Sequence, residues 1–218
     1  MSRQHIMQQA EDSLRRLQTD WIDLYQVHRF DDTTPLEETL STLTDLVRQG
    51  EVRYIGCSNY AAWQMAKARG VSDLEGLEHF VSSQSQYNLL SRELENEVMP
   101  YCDAEKLGLL VYSPMARGVL SGKYKSKSDM PEDSRAAKGE ELIQPYFTDA
   151  NFEKVEAYKE LLGDQGYELS QFALAWTLNQ PAVTAAIVGA SKSHHILDAV
   201  EISGWKWTEG LKAQVSNI

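Results

Sequence analysis

Five apolar runs in this chain each end in small polar or ring-bearing residues, and most of its chemical potential lies at those ends. WIDLYQVH stops at His28, VRYIGCS at Ser58-Asn59, and HFVSSQSQYN carries Gln84. LLVYSP ends at Tyr112-Ser113-Pro114, followed by Met115, and TAAIVGAS leads into Gly189, Ser191 and Lys192. His28 is a titratable group where a core strand emerges, a position that suits a histidine with work to do. Ser58, Asn59 and Gln84 offer neutral donors and acceptors, which match a carboxamide better than a charge. Tyr112 offers a flat ring for a heteroaromatic partner. Arg117, just before Gly118, and Lys123 can meet phosphates. VGASKSHH opens a helix, whose free N–H groups and dipole favour an anion, and Lys192 and His195 add positive charge. A carboxamide, a ring and two phosphate positions describe a nicotinamide dinucleotide, the last position suiting a 2′-phosphate. Plainer roles exist for the same residues. Ser58-Asn59 also fits a helix N-cap, Gln84 a core amide, Tyr112 core packing, Arg117 and Lys123 solvated loop charges, and His195 a helix surface. Trp63, Trp176 and Trp205 read as packing.

The elements that position these groups follow from periodicity. Residues 2–17 carry apolar residues at helical spacing with Ser2 as N-cap. TTPLEETLSTLTDLVRQGE predicts a helix capped by Thr34, with Pro35 at its first position, Glu37 completing a capping box and Gly50 ending it. Further helices are predicted over about 61–67, 92–108 with a kink or restart at Pro100, 150–162, 170–179 and 193–202, with a short one in the tail. From Gly118 to about Pro145 the composition turns polar and predicts a long loop. The result is βα repeated five times, with short strands buried on both faces, which makes a parallel sheet. Because every strand end contributes polar groups, and no GxGxxG motif is present, the pattern favours part of a (β/α)8 TIM barrel over a doubly wound sheet.

Composition narrows the partners. The 218 residues suit one core, so 1–218 reads as a single domain, and 42% hydrophobic with 24% charged residues is ordinary for a globular chain. A net charge of −11 argues against nucleic acid and anionic membranes, while leaving room for a small anionic ligand. The two cysteines, Cys57 and Cys102, stand outside any metal-ligand spacing, so no metal site is expected and a reducing, cytoplasmic setting is. The start, MSRQHIMQQAEDS, lacks the apolar stretch of a signal peptide, and no apolar run is long enough for a membrane helix.

SLRRLQTDWIDLYQVHRFD, TDLVRQGEVRYIGCSNY, SQSQYNLL, LLVYSPMARGVLSGKY and AAIVGASK occur in this order over nearly the whole chain. Together they resemble the aldo-keto reductases, especially the branch near the potassium-channel β-subunits and the aryl-alcohol-dehydrogenase-like members. The resemblance implies the C-terminal five βα units of that barrel, NADP(H) as cofactor and a small-molecule carbonyl substrate. It makes His28 the active-site histidine that orients and polarises the carbonyl. It puts Ser58, Asn59 and Gln84 on the nicotinamide carboxamide and stacks Tyr112 on the ring. Ser113, Pro114, Met115, Arg117, Gly118 and Lys123 wrap the pyrophosphate, and Gly189, Ser191, Lys192, His195 and Asp198 surround the adenosine end. The family usually has a Glu-Asn pair where this chain has Asp198-Ala199.

By the same resemblance, the family's catalytic tyrosine, lysine and aspartate belong to strands earlier than the one carrying His28, and no tyrosine here matches that context. The expectation is therefore little turnover from these residues alone, open strand edges prone to self-association, and an inner sheet face exposing Leu24, Ile55 and Val111. Three readings stay open: a carbonyl reductase when the barrel is complete, a non-catalytic cofactor-binding or interaction module, and an inactive truncated fragment.

Overall fold

A computed structural model describes residues 1–126, 128–132, 134, 136–163, 167–202, 205 and 207–218. Helices α1 (Arg3–Leu17), α2 (Leu36–Gln49), α3 (Ala62–Glu75) and α4 (Val98–Glu105) alternate with strands β1 (Ile22–Val27), β2 (Val52–Ser58), β3 (Phe80–Gln86) and β4 (Gly108–Tyr112). They are followed by α5 (Asp149–Leu162), α6 (Leu169–Leu178), β5 (Val183–Ile187), α7 (Ser193–Glu201) and α8 (Glu209–Ser216). The strands form one sheet in the order β1-β2-β3-β4-β5, the parallel α/β arrangement of a partial (β/α)8 barrel. The chain divides into two compact units, Met1–Ser85 with Glu95–Leu110 (unit 1) and Gln86–Leu94 with Val111–Ile218 (unit 2).

In unit 1, α2 buries Leu36, Leu40, Leu43 and Leu46, one helical face, and ends where Gly50 adopts φ 81° and returns its N–H to Leu46 and Val47. Its start differs from the sequence expectation. Pro35 takes the N-cap position, and neither Thr34 nor Glu37 caps. The Thr34 hydroxyl instead donates to the Asp31 carboxylate at 2.7 Å, which also accepts from Thr33 and the N-terminal amine. Ser2 does hold the N-cap position of α1, but its hydroxyl makes no cap bond. The Arg3 N–H is taken by Glu38 Oε1 at 2.8 Å. Pro100 lies in the first turn of α4, where its missing N–H costs no helical bond, so the helix restarts there after a short 3-10 turn at Glu93–Glu95.

Parallel pairing sets Leu24 beside Tyr54, Tyr25 beside Ile55, and Gln26 beside Gly56, which pairs onward with Ser82. Residues in register share a face. Ile55 therefore does not share the face of Leu24, and at 1% exposure it is core, as is Val111 at 0%. The apolar residue exposed beside Leu24 is Tyr54. Trp63 is also exposed, and its ring packs at a tilt against Phe30, 5.8 Å between centroids.

In unit 2, α5 and α6 supply buried faces (Phe152, Val155, Tyr158; Phe172, Ala173, Trp176), and Trp176 stacks on Tyr87 at 5.1 Å. Leu174, Ala175 and Ile202 form a cluster with Trp205 and Trp207 against it. The segment expected as a loop carries 3-10 turns at Ala116–Ser121 and Glu141–Tyr146, since Val119, Leu120, Ile143 and Tyr146 are apolar enough to be buried. Residues 127, 133 and 135 of it lie outside the described residues.

Candidate functional site

The polar group of unit 1 is assembled from the ends of β1, β2 and β3. His28 is exposed just past β1, and its backbone carbonyl accepts from Asn59 Nδ2 at 3.0 Å. Asn59 adopts φ 57°, a left-handed conformation that asparagine tolerates better than most residues. Its amide also donates to Ser58 Oγ at 3.0 Å, and its N–H to the Gln84 carbonyl at 2.9 Å. The Ser58 hydroxyl is almost buried and acts here as an acceptor, which leaves its own proton to give. Gln84 donates through Nε2 to Gln26 Oε1 at 2.8 Å, and Gln26 Nε2 donates to Ser82 Oγ at 3.1 Å. None of these bonds uses Gln84 Oε1. One hydroxyl donor and one amide acceptor are the complement of a carboxamide. The N-cap of α3 is not Ser58 or Asn59 but Ala61, whose N–H is taken by Gln64 Oε1 at 2.9 Å.

Gly56 makes this packing possible. A Cβ there would lie 2.5 Å from Ser82 Oγ and 3.1 Å from Gln26 Cγ, so any side chain would stand in the path of the Gln26–Ser82 bond. Behind the sheet the surroundings are dry, and burial pushes the Cys57 thiol up to about 12 and the Cys102 thiol up to about 11.

Unit 2 holds a cavity of about 600 Å³, within the range of sites for sizeable ligands. Tyr112, Ser113, Pro114 and Met115 form the wall beyond β4, continuing through Arg117, Gly118 and Lys123. Gly189 and Ser191 follow from the β5 side, and His194, His195, Asp198 and Ala199 from α7. The sequence-predicted groups of this half therefore line one cavity, except Lys192, which is the exposed N-cap residue of α7 and is not part of the wall.

The backbone that carries the wall is unusual. Ser113, Ala116 and Arg117 are non-glycine residues at φ 56°, 46° and 58°, and Gly118 follows at φ 99°. Buried Asn88 supports the first of these, donating to the Ser113 carbonyl at 2.9 Å and to Tyr146 Oη at 3.1 Å. Gly118 suits its position through its positive φ rather than through space, since a Cβ there would make only an ordinary contact with the Lys123 stem at 3.4 Å. Burial and the neighbouring Tyr146 push the Tyr112 phenol up while Arg117 pulls it down, so the ring keeps its proton at ordinary pH. Arg117 pairs with Glu140 at 3.4 Å, and His195 Nδ1 accepts from the Ser191 N–H at 3.4 Å. Two carboxylates, Glu168 and Asp198, share the wall with these cations. The mixture can bind phosphate through Arg117 and Lys123 and accept from hydroxyl or amino groups through the carboxylates.

Sequence reasoning passed over Gln26, Glu168 and Gln171. Gln26 left a signal, a polar residue inside WIDLYQVH. Gln171, which donates to Glu201 at 3.2 Å and so ties α6 to α7, left none.

The sequence matches the model of the aldo/keto reductase family over residues 1–209. The chain belongs to that family. It is 35% identical over 200 residues to versiconal hemiacetal acetate reductase of Aspergillus parasiticus, covering 92% of this chain and 57% of that protein. It is 36% identical over 201 residues to a "Probable voltage-gated potassium channel subunit beta" of Oryza sativa subsp. japonica, covering 91% and 61%. It is 34% identical over 204 residues to aldo-keto reductase YhdN of Bacillus subtilis, covering 94% and 60%. This aldo/keto reductase chain thus spans about three-fifths of the length of these relatives. Among its described residues no helix is long and apolar enough to cross a membrane, and no cluster of three His, Cys, Asp or Glu side chains could hold a metal.

Proposed function

We propose that this chain contributes the cofactor-binding and carbonyl-orienting part of an NADP(H)-dependent oxidoreductase that reduces small aldehydes or ketones. The observation that carries the reading is the unit 2 cavity, whose cations Arg117 and Lys123 and neutral Tyr112 ring match a phosphate-bearing heteroaromatic ligand. The polar group of unit 1, taken by itself, complements a carboxamide: Ser58 can donate to a carbonyl and Gln84 Oε1 can accept from an NH₂. When bound, the cofactor supplies the hydride. His28 orients and polarises the substrate carbonyl, and general acid assistance of this kind contributes about 10²–10⁴-fold. We assign no full proton donor to residues 1–218, because no tyrosine among them stands in the family's catalytic context. A second reading, a cofactor-binding module without turnover, is favoured by the similarity to the Oryza channel-subunit protein.

The test measures binding of NADP⁺ and NAD⁺ to the full native protein, then NADPH oxidation with 4-nitrobenzaldehyde. NADP⁺ is expected to bind at least tenfold more tightly, since one charge-assisted hydrogen bond contributes roughly 1.5–3 kcal/mol. Lys192→Ala, next to Ser191 of the cavity wall, is expected to narrow that gap. Equal affinities would overturn the NADP(H) assignment. Turnover on the order of 1 s⁻¹ in the full protein supports the reductase and excludes the module, whereas binding without turnover does the reverse.

A further inference from the structure

We infer that Gln26 is a positioning residue that sets which way the Gln84 amide faces, so that Gln84 presents an oxygen rather than an NH₂ to a bound carboxamide. The inference rests on the proposed dinucleotide reading and deepens it. Gln26 belongs to β1 and Gln84 to β3, with β2 between them. Their side chains meet because the intervening residue in register with Gln26 is Gly56. The Gln26 NH₂ is committed to oxygen atoms, Ser82 Oγ at 3.1 Å and the Cys57 carbonyl at 3.5 Å. A peptide carbonyl can only accept, which orients the Gln26 amide with its oxygen toward Gln84. That oxygen in turn can only accept, so the Gln84 NH₂ points at it, at 2.8 Å, and Gln84 Oε1 is turned away. The direction is relayed from a backbone carbonyl through two amides to the Gln84 oxygen. Without Gln26 the Gln84 amide can rotate by 180° and present NH₂ to the NH₂ of a carboxamide, a donor facing a donor.

The experiment uses the full native protein and two ligands that differ in the nicotinamide end. NADP⁺ carries the carboxamide, whereas adenosine 2′,5′-bisphosphate lacks it. Gln26→Leu is expected to weaken NADP⁺ about tenfold, the scale of one oriented hydrogen bond and its mismatch, and to leave the bisphosphate within about twofold. In a Gln84→Leu background the same substitution is expected to cause no further loss, because a residue acting through Gln84 has nothing left to position. Ser82→Ala, a smaller change that removes one Gln26 acceptor, is expected to weaken NADP⁺ selectively by a lesser factor and keeps the test usable if Gln26→Leu does not fold. Equal losses for both ligands, losses that add to those of Gln84→Leu, or no loss at all would overturn the role of Gln26. If Gln84→Leu weakens NADP⁺ while Gln26→Leu and Ser82→Ala do not, the dinucleotide reading survives and this inference fails. If the unsubstituted protein binds neither ligand, the dinucleotide reading falls and takes the inference with it.

Discussion

The polar group of unit 1 and the cavity of unit 2 hold their side chains by different means. In unit 1, Gln26, Ser58, Ser82 and Gln84 stand on strands, in a register fixed by backbone pairing, and every contact is between neutral groups. In unit 2, Tyr112 stands at a strand end, but Arg117 and Lys123 ride on a segment with consecutive left-handed residues. The contrast follows from the forces involved. A neutral hydrogen bond weakens steeply with angle, so its partners need rigid backbone. A charge attracts over several ångströms with little regard to direction, so a cation can sit on a loop and still meet a phosphate. The loop must then be supported elsewhere, which is what buried Asn88 does for Ser113.

The largest expected effect tests the charged side. Arg117→Ala with Lys123→Ala should weaken adenosine 2′,5′-bisphosphate about 100-fold at low salt, two charge-assisted bonds of roughly 1.5 kcal/mol each. Raising salt should shrink the difference, because exposed charges are screened. Titration calorimetry at two ionic strengths measures both. A loss that does not depend on salt would mean that these residues act through packing, and the contrast between the two regions would break.

The neutral side is probed by filling the gap that it needs. Gly56→Val should destabilise the protein by about 1–3 kcal/mol, the usual cost of overpacking, because Ser82 Oγ and Gln26 Cγ lie where the new side chain must go. A lowered denaturation midpoint is the expected readout. An unchanged midpoint would show that strand register is looser than the amide relay requires.

The smallest effect concerns the dry side of the same sheet. Burial raises the Cys57 thiol from an ordinary 9.0 to about 12, so between those values the folded chain holds a proton that the unfolded chain releases. Stability from this group is therefore complete below pH 9 and declines as pH rises toward 12. Denaturant midpoints should fall from pH 8 to pH 10.5, and a thiol reagent should reach Cys57 only on unfolding. Rapid labelling of the folded protein at pH 8 would show that the helix-covered side is open to water.

Much of this was legible in the chain itself. The five strands, α1, α5, α6 and α7 follow from periodicity because apolar spacing is a local property of the sequence. Gly50 was readable as a helix end because only its own backbone conformation is involved. Thr34 fits a cap by pattern, but its hydroxyl is claimed by Asp31, a competition between two local bonds that the sequence pattern does not rank. The assignment of Ile55 to the same face as Leu24 failed for another reason: register couples residues about thirty positions apart, and Leu24 pairs with Tyr54.

The candidate site divides along the same line. Residue types and their place at strand ends were enough to single out His28, Ser58, Asn59, Gln84 and the Tyr112–Lys123 segment, since donors, rings and cations keep their chemistry wherever they lie. The sequence by itself thus determined the fold class and the family. Only the tertiary structure decided that Arg117, His195 and Asp198 share one cavity wall while Lys192 stands outside it. It alone decided that Gln26 reaches Gln84 across Gly56, because that contact depends on three strands brought into register and on a side chain that is absent.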